Sequence, residues 1–189
     1  MIKLIDIEQA LQRANQITPK ETTLRPSAVL VPIVEREQGL QLLLTQRSDH
    51  LRHHAGQISF PGGSMDRTDR DLIHTALRET HEEVGIPDQL INVLGKLPLQ
   101  PTISGFMIQP VVAHIQEHYE MRLCEDEVAD AFEVPLDFVI NPANQSHSYR
   151  DYRGKRYSVY SIPYQKRNIW GATANIIVQF AKLIRPTDF

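Results

Sequence analysis

Between Asp71 and Val84 the sequence reads DLIHTALRETHEEV, and three of its glutamates, Glu79, Glu82 and Glu83, are spaced so that a helix sets them side by side. At about 100° per residue, with Glu79 as zero, Glu82 falls near 300° and Glu83 near 40°, while Ile73, Leu77, Thr80 and Val84 fall between roughly 100° and 160°. An acidic arc therefore lies beside a separate apolar arc that faces a core. Like charges four residues apart cost a helix a few tenths of a kcal/mol, and a bound cation reverses that penalty. Hard divalent cations such as Mg²⁺ or Mn²⁺ take oxygen ligands, keep several waters and are usually held by a few carboxylates together with substrate phosphates. Glu79, Glu82 and Glu83 are the candidate ligands. The Pro61-Gly62-Gly63 turn upstream lets main chain approach closely, so the Gly63 carbonyl is a fourth candidate. Taken alone, an acidic helix face is more often simply a solvated surface.

The elements that must position this helix are legible around it. The helix spans residues 71–84 and ends at Gly85 and Pro87. Upstream, the apolar, β-branched run SAVLVPIVE and the run LQLLLTQR, separated by Glu37-Gln38-Gly39, predict paired strands, with Pro32 favouring an edge or a bulge. Residues 47–64, rich in His and Arg and closing on Phe60-Pro61-Gly62-Gly63, predict a long loop, and loops of that length are usually functional. VLGKLPLQ and GFMIQPVVAHI supply further strands, and Glu127 to Phe138 predicts a short helix or turn before Pro135. Helices are predicted at both ends. One covers residues 6–16, with Asp6 as N-cap and Gln9 three residues on. The other covers residues 172–184, with Ile176, Ile177, Phe180, Ala181 and Ile184 on one face.

A chain of 189 residues with 41% hydrophobic and 23% charged residues suits one domain able to fold alone. A formal net charge of −3 excludes a dominant electrostatic footprint for nucleic acid or for an anionic membrane. Cys124 is the single cysteine, so an intrachain disulfide and a thiolate metal cage are both excluded, and a reducing, cytoplasmic location is expected. The N-terminus lacks a signal-peptide pattern, and no apolar run reaches membrane-spanning length. His50 and His54, four apart, raise zinc, but their loop offers no third ligand.

The stretch from Gly63 to Ile86 resembles the Nudix box, the signature of hydrolases that act on nucleoside diphosphates linked to another moiety. Its core, Arg78-Glu79-Thr80-His81-Glu82-Glu83-Val84-Gly85-Ile86, reproduces the box pattern of Arg-Glu, two spacers, Glu-Glu, a spacer, Gly and an aliphatic residue. Two positions depart from it. Thr80 stands where the box has a bulky aliphatic residue, and Arg70 stands at the position of its upstream glutamate. Asp69 lies six residues after Gly63 but leaves eight residues before Arg78 rather than seven. The resemblance implies an α/β fold, an α/β/α sandwich around a mixed sheet with the box as loop, helix and loop. Residues 25–189 then form the Nudix domain and residues 1–24 an N-terminal helical extension. It also implies metal ions held by Glu79, Glu82 and Glu83, with Arg78 orienting those carboxylates through an ion pair. Glu82 and Glu127 are the candidates for general base.

A second run narrows the resemblance. Leu43-Leu44-Thr45-Gln46-Arg47-Ser48, then Arg52, Gly56 and Phe60-Pro61-Gly62-Gly63 are similar to the motif of the coenzyme A pyrophosphatases of this superfamily. Further likeness to the bacterial branch lies in Ser104-Gly105-Phe106, Glu125-Asp126-Glu127-Val128 and Trp170-Gly171-Ala172-Thr173-Ala174. The implied reaction is hydrolysis of coenzyme A, its thioesters or its oxidised form to 3′,5′-ADP and 4′-phosphopantetheine or its derivative. Arg47, Arg52 and Gly56 would form the substrate site, since arginines give the bidentate, charge-assisted bonds that phosphates favour. Two other readings stay open. One is a Nudix hydrolase of ADP-ribose or a dinucleoside polyphosphate, which would not need the Arg47–Gly56 motif. The other is a non-catalytic nucleotide-sensing module, which would not need all three carboxylates. The aromatic residues Tyr149, Tyr152, Tyr157, Tyr160, Tyr164 and Trp170 carry no assignment.

Overall fold

A computed structural model of the chain describes residues 2–13, 23–51, 54–116, 119–152 and 154–186. Its centre is β1 (Arg25–Arg36), which runs parallel to β7 (Phe106–Ile115) over ten residue pairs and forms an antiparallel hairpin with β2 (Gly39–Arg47). The hairpin is closed only at its turn, where Ile33–Arg36 meet Leu42–Gly39. At the other end the two strands separate. Two short strands fill the fork: β3 (Ile58–Ser59) pairs with Thr45 and Gln46 of β2, and β4 (Gly62–Ser64) pairs with Ser27–Val29 of β1. Antiparallel β5 (Ile91–Lys96) and β6 (Gln100–Pro101) flank β7, completing a mixed sheet with β8 (Val128–Pro135) on the outer edge of β2. A second, three-stranded sheet is built from β9 (Ser146–Tyr152), β10 (Lys155–Tyr164) and β11 (Arg167–Trp170).

Strand periodicity sorts the central side chains onto two faces. Ala28, Leu30 and Val34 of β1, Leu43 of β2, and Val111, Ala113 and Ile115 of β7 pack beneath helix α2 (Leu72–Val84), where Ala76 and Val84 meet them. The intervening Val31, Ile33, Leu42, Leu44 and Val112 form the opposite core. That core is covered by α1 (Leu4–Arg13), the one-turn α3 (Leu136–Val139) and α4 (Gly171–Ile184), through Ile7, Leu11, Leu136, Val139, Ile176, Ile177 and Phe180. The two apolar cores give the three-layer packing that a sheet apolar on both faces requires.

Three expectations need correction. Pro32 is in the central strand rather than at an edge. Its ladder edge is the one from which Leu30 N–H bonds the Pro61 carbonyl, and Pro32 falls between the residues paired with β4 and those paired with β2. The donor it lacks is therefore missing at the crotch of the fork, where no ladder bond is made. The segment after Glu127 is strand β8, not a helix or turn, because the outer edge of β2 from Gln41 to Arg47 needs a partner; its outward acids are matched, Asp130 by Arg167 and Glu133 by Arg36. The N-terminal helix begins at Leu4, so Asp6 is inside its first turn and accepts from the Lys3 N–H at 3.0 Å instead of forming the N-cap. No helix among the described residues is long and apolar enough to cross a membrane.

Candidate active site

The fork places a glycine turn under helix α2. Asp71 caps the helix by accepting from His74 N–H at 2.8 Å, and Gly85, at φ +73°, ends it with a bond to the His81 carbonyl. Strand β4 then runs directly against the acidic arc. A Cβ at Gly62 would lie 2.3 Å from the Ala28 carbonyl, so only glycine allows the approach there, and one at Gly63 would lie 2.5–2.6 Å from the Glu79 carboxylate atoms and push that carboxylate aside. The arc is consequently graded in depth. Glu82 is 57% exposed, Glu79 15% and Glu83 3%. The separate acidic and apolar arcs expected from the sequence thus merge at Glu83, which β1 and β4 cover.

Arg78 and Asp69 fix the arc. The Asp69 side chain is fully buried and its two oxygens accept from Arg78 Nε and Nη2, from Thr75 Oγ1 and from Asp66 N–H, each at 2.9 Å, with His74 Nδ1 also at 2.9 Å. Arg78 spends its remaining donors on Glu79 and Glu82, each at 2.9 Å from Nη1, and on the Ser64 carbonyl at 3.2 Å. A guanidinium has five N–H donors, and here all five are used. The Arg78 hydrogen bonds hold the Asp69 carboxyl well below the usual carboxylate range, and Asp69 raises Arg78 in turn. Asp69 is thus the acidic partner that the box alignment left open, one residue from the expected register, while Arg70 is exposed. Its signal in the sequence was an acid just ahead of a capped helix. Buried Thr80 satisfies its hydroxyl on the Ala76 carbonyl at 2.7 Å, so it fits an aliphatic position.

Glu83 has far less support. It accepts one hydrogen bond, from Gly62 N–H at 3.3 Å, and its ion pair with Arg47 Nη1 is 3.7 Å long, beyond hydrogen-bond reach. Burial pushes its carboxyl up to about 8, with Glu79 and Glu127 adding to the rise and Arg47 and the Gly62 N–H opposing it. Burial also raises Glu79, against the pull of Arg78. A buried, underbonded carboxylate beside a second one, with glycine backbone pressed against it, is a set of hard oxygen donors that fits Mg²⁺ or Mn²⁺. Among the described residues no three acidic, His or Cys side chains converge closely enough to hold a metal ion, so the carboxylates supply at most a partial ligand set. That suits a cation whose remaining positions go to water and to substrate oxygens.

The segment before β8 brings a fourth glutamate to this arc. Arg122 N–H and Cys124 N–H bond the last helical carbonyls, those of Val84 and Glu83, and Glu127 N–H closes a turn on the Cys124 carbonyl at 2.8 Å. Buried Ser48, next to Arg47, staples the turn from the other side: its N–H bonds the Glu127 carbonyl at 2.9 Å and its hydroxyl the Glu125 carbonyl at 2.8 Å. At the far end Tyr119 OH bonds Glu133 at 3.0 Å and receives Arg36 Nη2 at 3.1 Å. Glu127 is exposed on this braced turn. Gly56, at φ +67°, closes the loop after β2 through a 3.1 Å bond to the Arg47 carbonyl, and a Cβ there would strike Asp49. The structure thus brings Glu79, Glu82, Glu83, Gly63, Arg78, Arg47 and Glu127 together and puts Gly56 at the base of the loop. Arg52 and His53 lie outside the described residues. His50 and His54 bond the Asp126 carbonyl and Gln57 respectively, not a common point.

Comparison with known proteins agrees with this geometry. The chain is similar to the Nudix hydrolase NudL of Salmonella dublin, 45% identical over 167 residues that span 88% of this chain and 86% of that one. NudL of Salmonella newport (strain SL254) is 44% identical over the same shares. Among solved structures, the C. elegans Ap4A hydrolase binary complex superposes with a TM-score of 0.52 at 20% identity, over 59% of this chain and 80% of that one. A MutT/nudix family protein from Enterococcus faecalis gives 0.51 at 15%, over 95% and 73%. At such identities these two speak for the fold alone. The NUDIX domain family matches residues 24–152, which contain the fork, the helix and the braced turn, and the chain belongs to that family.

Proposed function

We propose that this Nudix hydrolase cleaves the diphosphate of coenzyme A, or of its thioesters or oxidised form, releasing 3′,5′-ADP and 4′-phosphopantetheine or its derivative. The observation that carries the reading is the place of Arg47. It is the first arginine of the run similar to the coenzyme A pyrophosphatase motif, and its guanidinium reaches the buried end of the carboxylate arc, with Nε buried and without a protein partner. The exposed part of the same guanidinium would meet a phosphate oxygen of a diphosphate at Glu79 and Glu83.

Nudix hydrolases generally use divalent metal ions such as Mg²⁺ or Mn²⁺. Glu79 and Glu83, with Glu82 and the Gly63 carbonyl, would hold them here. When bound, such ions neutralise charge on the phosphate oxygens and ease loss of a proton from water. Arg78 keeps Glu79 and Glu82 in place, and Arg47 orients the diphosphate. Of the two candidate bases, Glu127 suits proton transfer better. Glu82 accepts a 2.9 Å hydrogen bond from Arg78 Nη1, which ties it to the guanidinium. Glu127 stands exposed on a rigid turn, its charge felt at both Glu79 and Glu83. The test is incubation of the purified protein and Mg²⁺ with coenzyme A, ADP-ribose and diadenosine polyphosphates, with product analysis. Release of 3′,5′-ADP from coenzyme A at the highest kcat/KM is expected. Inertness toward coenzyme A alongside turnover of either other substrate would overturn the assignment.

A further inference from the structure

Where β2 and β8 end, the chain leaves a cleft of about 490 Å³ between Ser48–His50 on one side and Leu123–Ala129 on the other. Both walls follow in sequence directly from residues of the site: Ser48 follows Arg47, whose guanidinium meets Glu83, and Val128 follows Glu127. We propose that this cleft receives the uncharged pantetheine arm of the substrate, and that Asp49 and Glu125 on its rim select against arms that end in a carboxylate. The inference rests on the coenzyme A reading above and adds to it the direction in which the substrate lies.

The lining decides which end of coenzyme A enters. Leu123, Val128 and Ala129 supply an apolar wall suited to methylene and dimethyl groups. No lysine or arginine is among the lining residues, the Ser48 hydroxyl is committed to the Glu125 carbonyl, and His50 Nε2 sits 3.1 Å from the Asp126 carbonyl. Among the described residues the lining therefore offers a phosphate no free cation, and the exposed carboxylates of Asp49 and Glu125 repel one. The adenosine 3′-phosphate end is thereby directed elsewhere. The Ser48 staple holds the two walls at fixed separation, so the cleft is formed before substrate arrives. Asp49 is kept in place by the loop closure at Gly56, whose missing side chain leaves room for it. A free thiol or a neutral acyl group at the end of the arm meets no opposition. A terminal carboxylate meets two.

The test compares kcat/KM for coenzyme A, its acetyl and butyryl thioesters, and its malonyl and succinyl thioesters at low salt. Wild type should favour the neutral thioesters about fivefold to tenfold, a size expected for like charges a few ångströms apart near a surface, and 0.5 M NaCl should shrink the ratio. The double variant Asp49→Asn/Glu125→Gln should bring the ratio within about twofold. Ala129→Trp, made at an exposed position, should fill the cleft: KM for coenzyme A and Ki for 4′-phosphopantetheine should rise about tenfold, and Ki for 3′,5′-ADP should not move. Should Ala129→Trp fail to fold, the near-isosteric double variant still decides. Turnover of coenzyme A with equal rates for neutral and carboxylate-ended thioesters overturns the cleft assignment alone. A wild-type protein inert toward coenzyme A overturns the substrate reading, and the arm site falls with it.

Discussion

Asp69→Ala is the substitution that most directly tests how the acidic arc is held. The Asp69 carboxylate has no solvent exposure and gathers Arg78, Thr75, His74 and the Asp66 N–H within 2.9 Å. Removing one partner of a buried ion pair costs about 3–5 kcal/mol, chiefly because the survivor is left uncompensated. Arg78 is 22% exposed and can partly rehydrate, which favours the lower end, about 3 kcal/mol. Urea unfolding followed by far-UV circular dichroism measures this, with Arg70→Ala as the exposed neighbour expected to stay within about 0.5 kcal/mol of wild type. The pH dependence adds a second constraint. The folded-state value of Asp69 lies below the ordinary 3.8, so its stabilisation is complete above that value and is lost as pH falls through the folded value. The deficit of the variant should therefore be flat from pH 5 to 8 and narrow in acid. Because Arg78 also ties Glu79 and Glu82, kcat should drop about tenfold even where the variant remains folded, as expected when positioning by an ion-paired side chain is lost. A deficit below about 1 kcal/mol, or one that widens toward low pH, would refute the assignment of Asp69 as the anchor of the arc.

Two further expectations follow from the same geometry. With Glu83 pushed up to about 8 from 4.5, its contribution to the stability of the metal-free protein is complete below 4.5 and lost as pH rises through 8. A cation must displace that proton, so Mg²⁺ affinity measured by calorimetry should strengthen by about tenfold per pH unit from pH 6 toward 8. Glu83→Gln should flatten that dependence and lower kcat by about a hundredfold; a pH-independent affinity in wild type would count against Glu83 as a ligand. Ser48→Ala removes one buried hydrogen bond to the Glu125 carbonyl, worth about 1 kcal/mol, so hydrogen exchange at Cys124 and Glu127 should quicken about fivefold. Unchanged exchange would show that the turn is held without the staple.

What could be read in advance depended on the range of the forces involved. Helix α2 and its stop are local, written in the 3.6-residue pattern and Gly85, and its glutamates were placed on one arc from spacing alone. The α/β sandwich came from the box resemblance, and the strand runs on both sides agreed with it. Depth was not legible, because the burial of Glu83 comes from β4 being held against the helix by its pairing with the distant strand β1. Pro32 misled for a similar reason: a local rule about missing donors cannot see that two partners divide one strand edge and leave a gap. The segment after Glu127 carried too many polar residues to read as a strand, since Asp130 and Glu133 are matched only by Arg167 and Arg36 from other elements. Asp69 was in view but unassigned, and only the bidentate geometry with Arg78 shows that a shorter acid, one position displaced, reaches the same guanidinium.

The arrangement also explains how a chain tolerates a carboxylate as poorly supported as Glu83. An underbonded buried acid would ordinarily be relieved by local movement, with the helix rotating the group toward water. Rotation is blocked here from three directions. Arg78, with every donor committed, locks the neighbouring turn of the helix to Asp69 and to the Ser64 carbonyl of β4. The Arg122 and Cys124 amides hold the carbonyls at the end of the helix. Ala76 and Val84 are buried in the core on the side toward which the helix would turn. Glu83 can then move only by unfolding the end of α2, so its destabilisation is kept in the folded protein and remains available as affinity for whatever cation and phosphate complete the site.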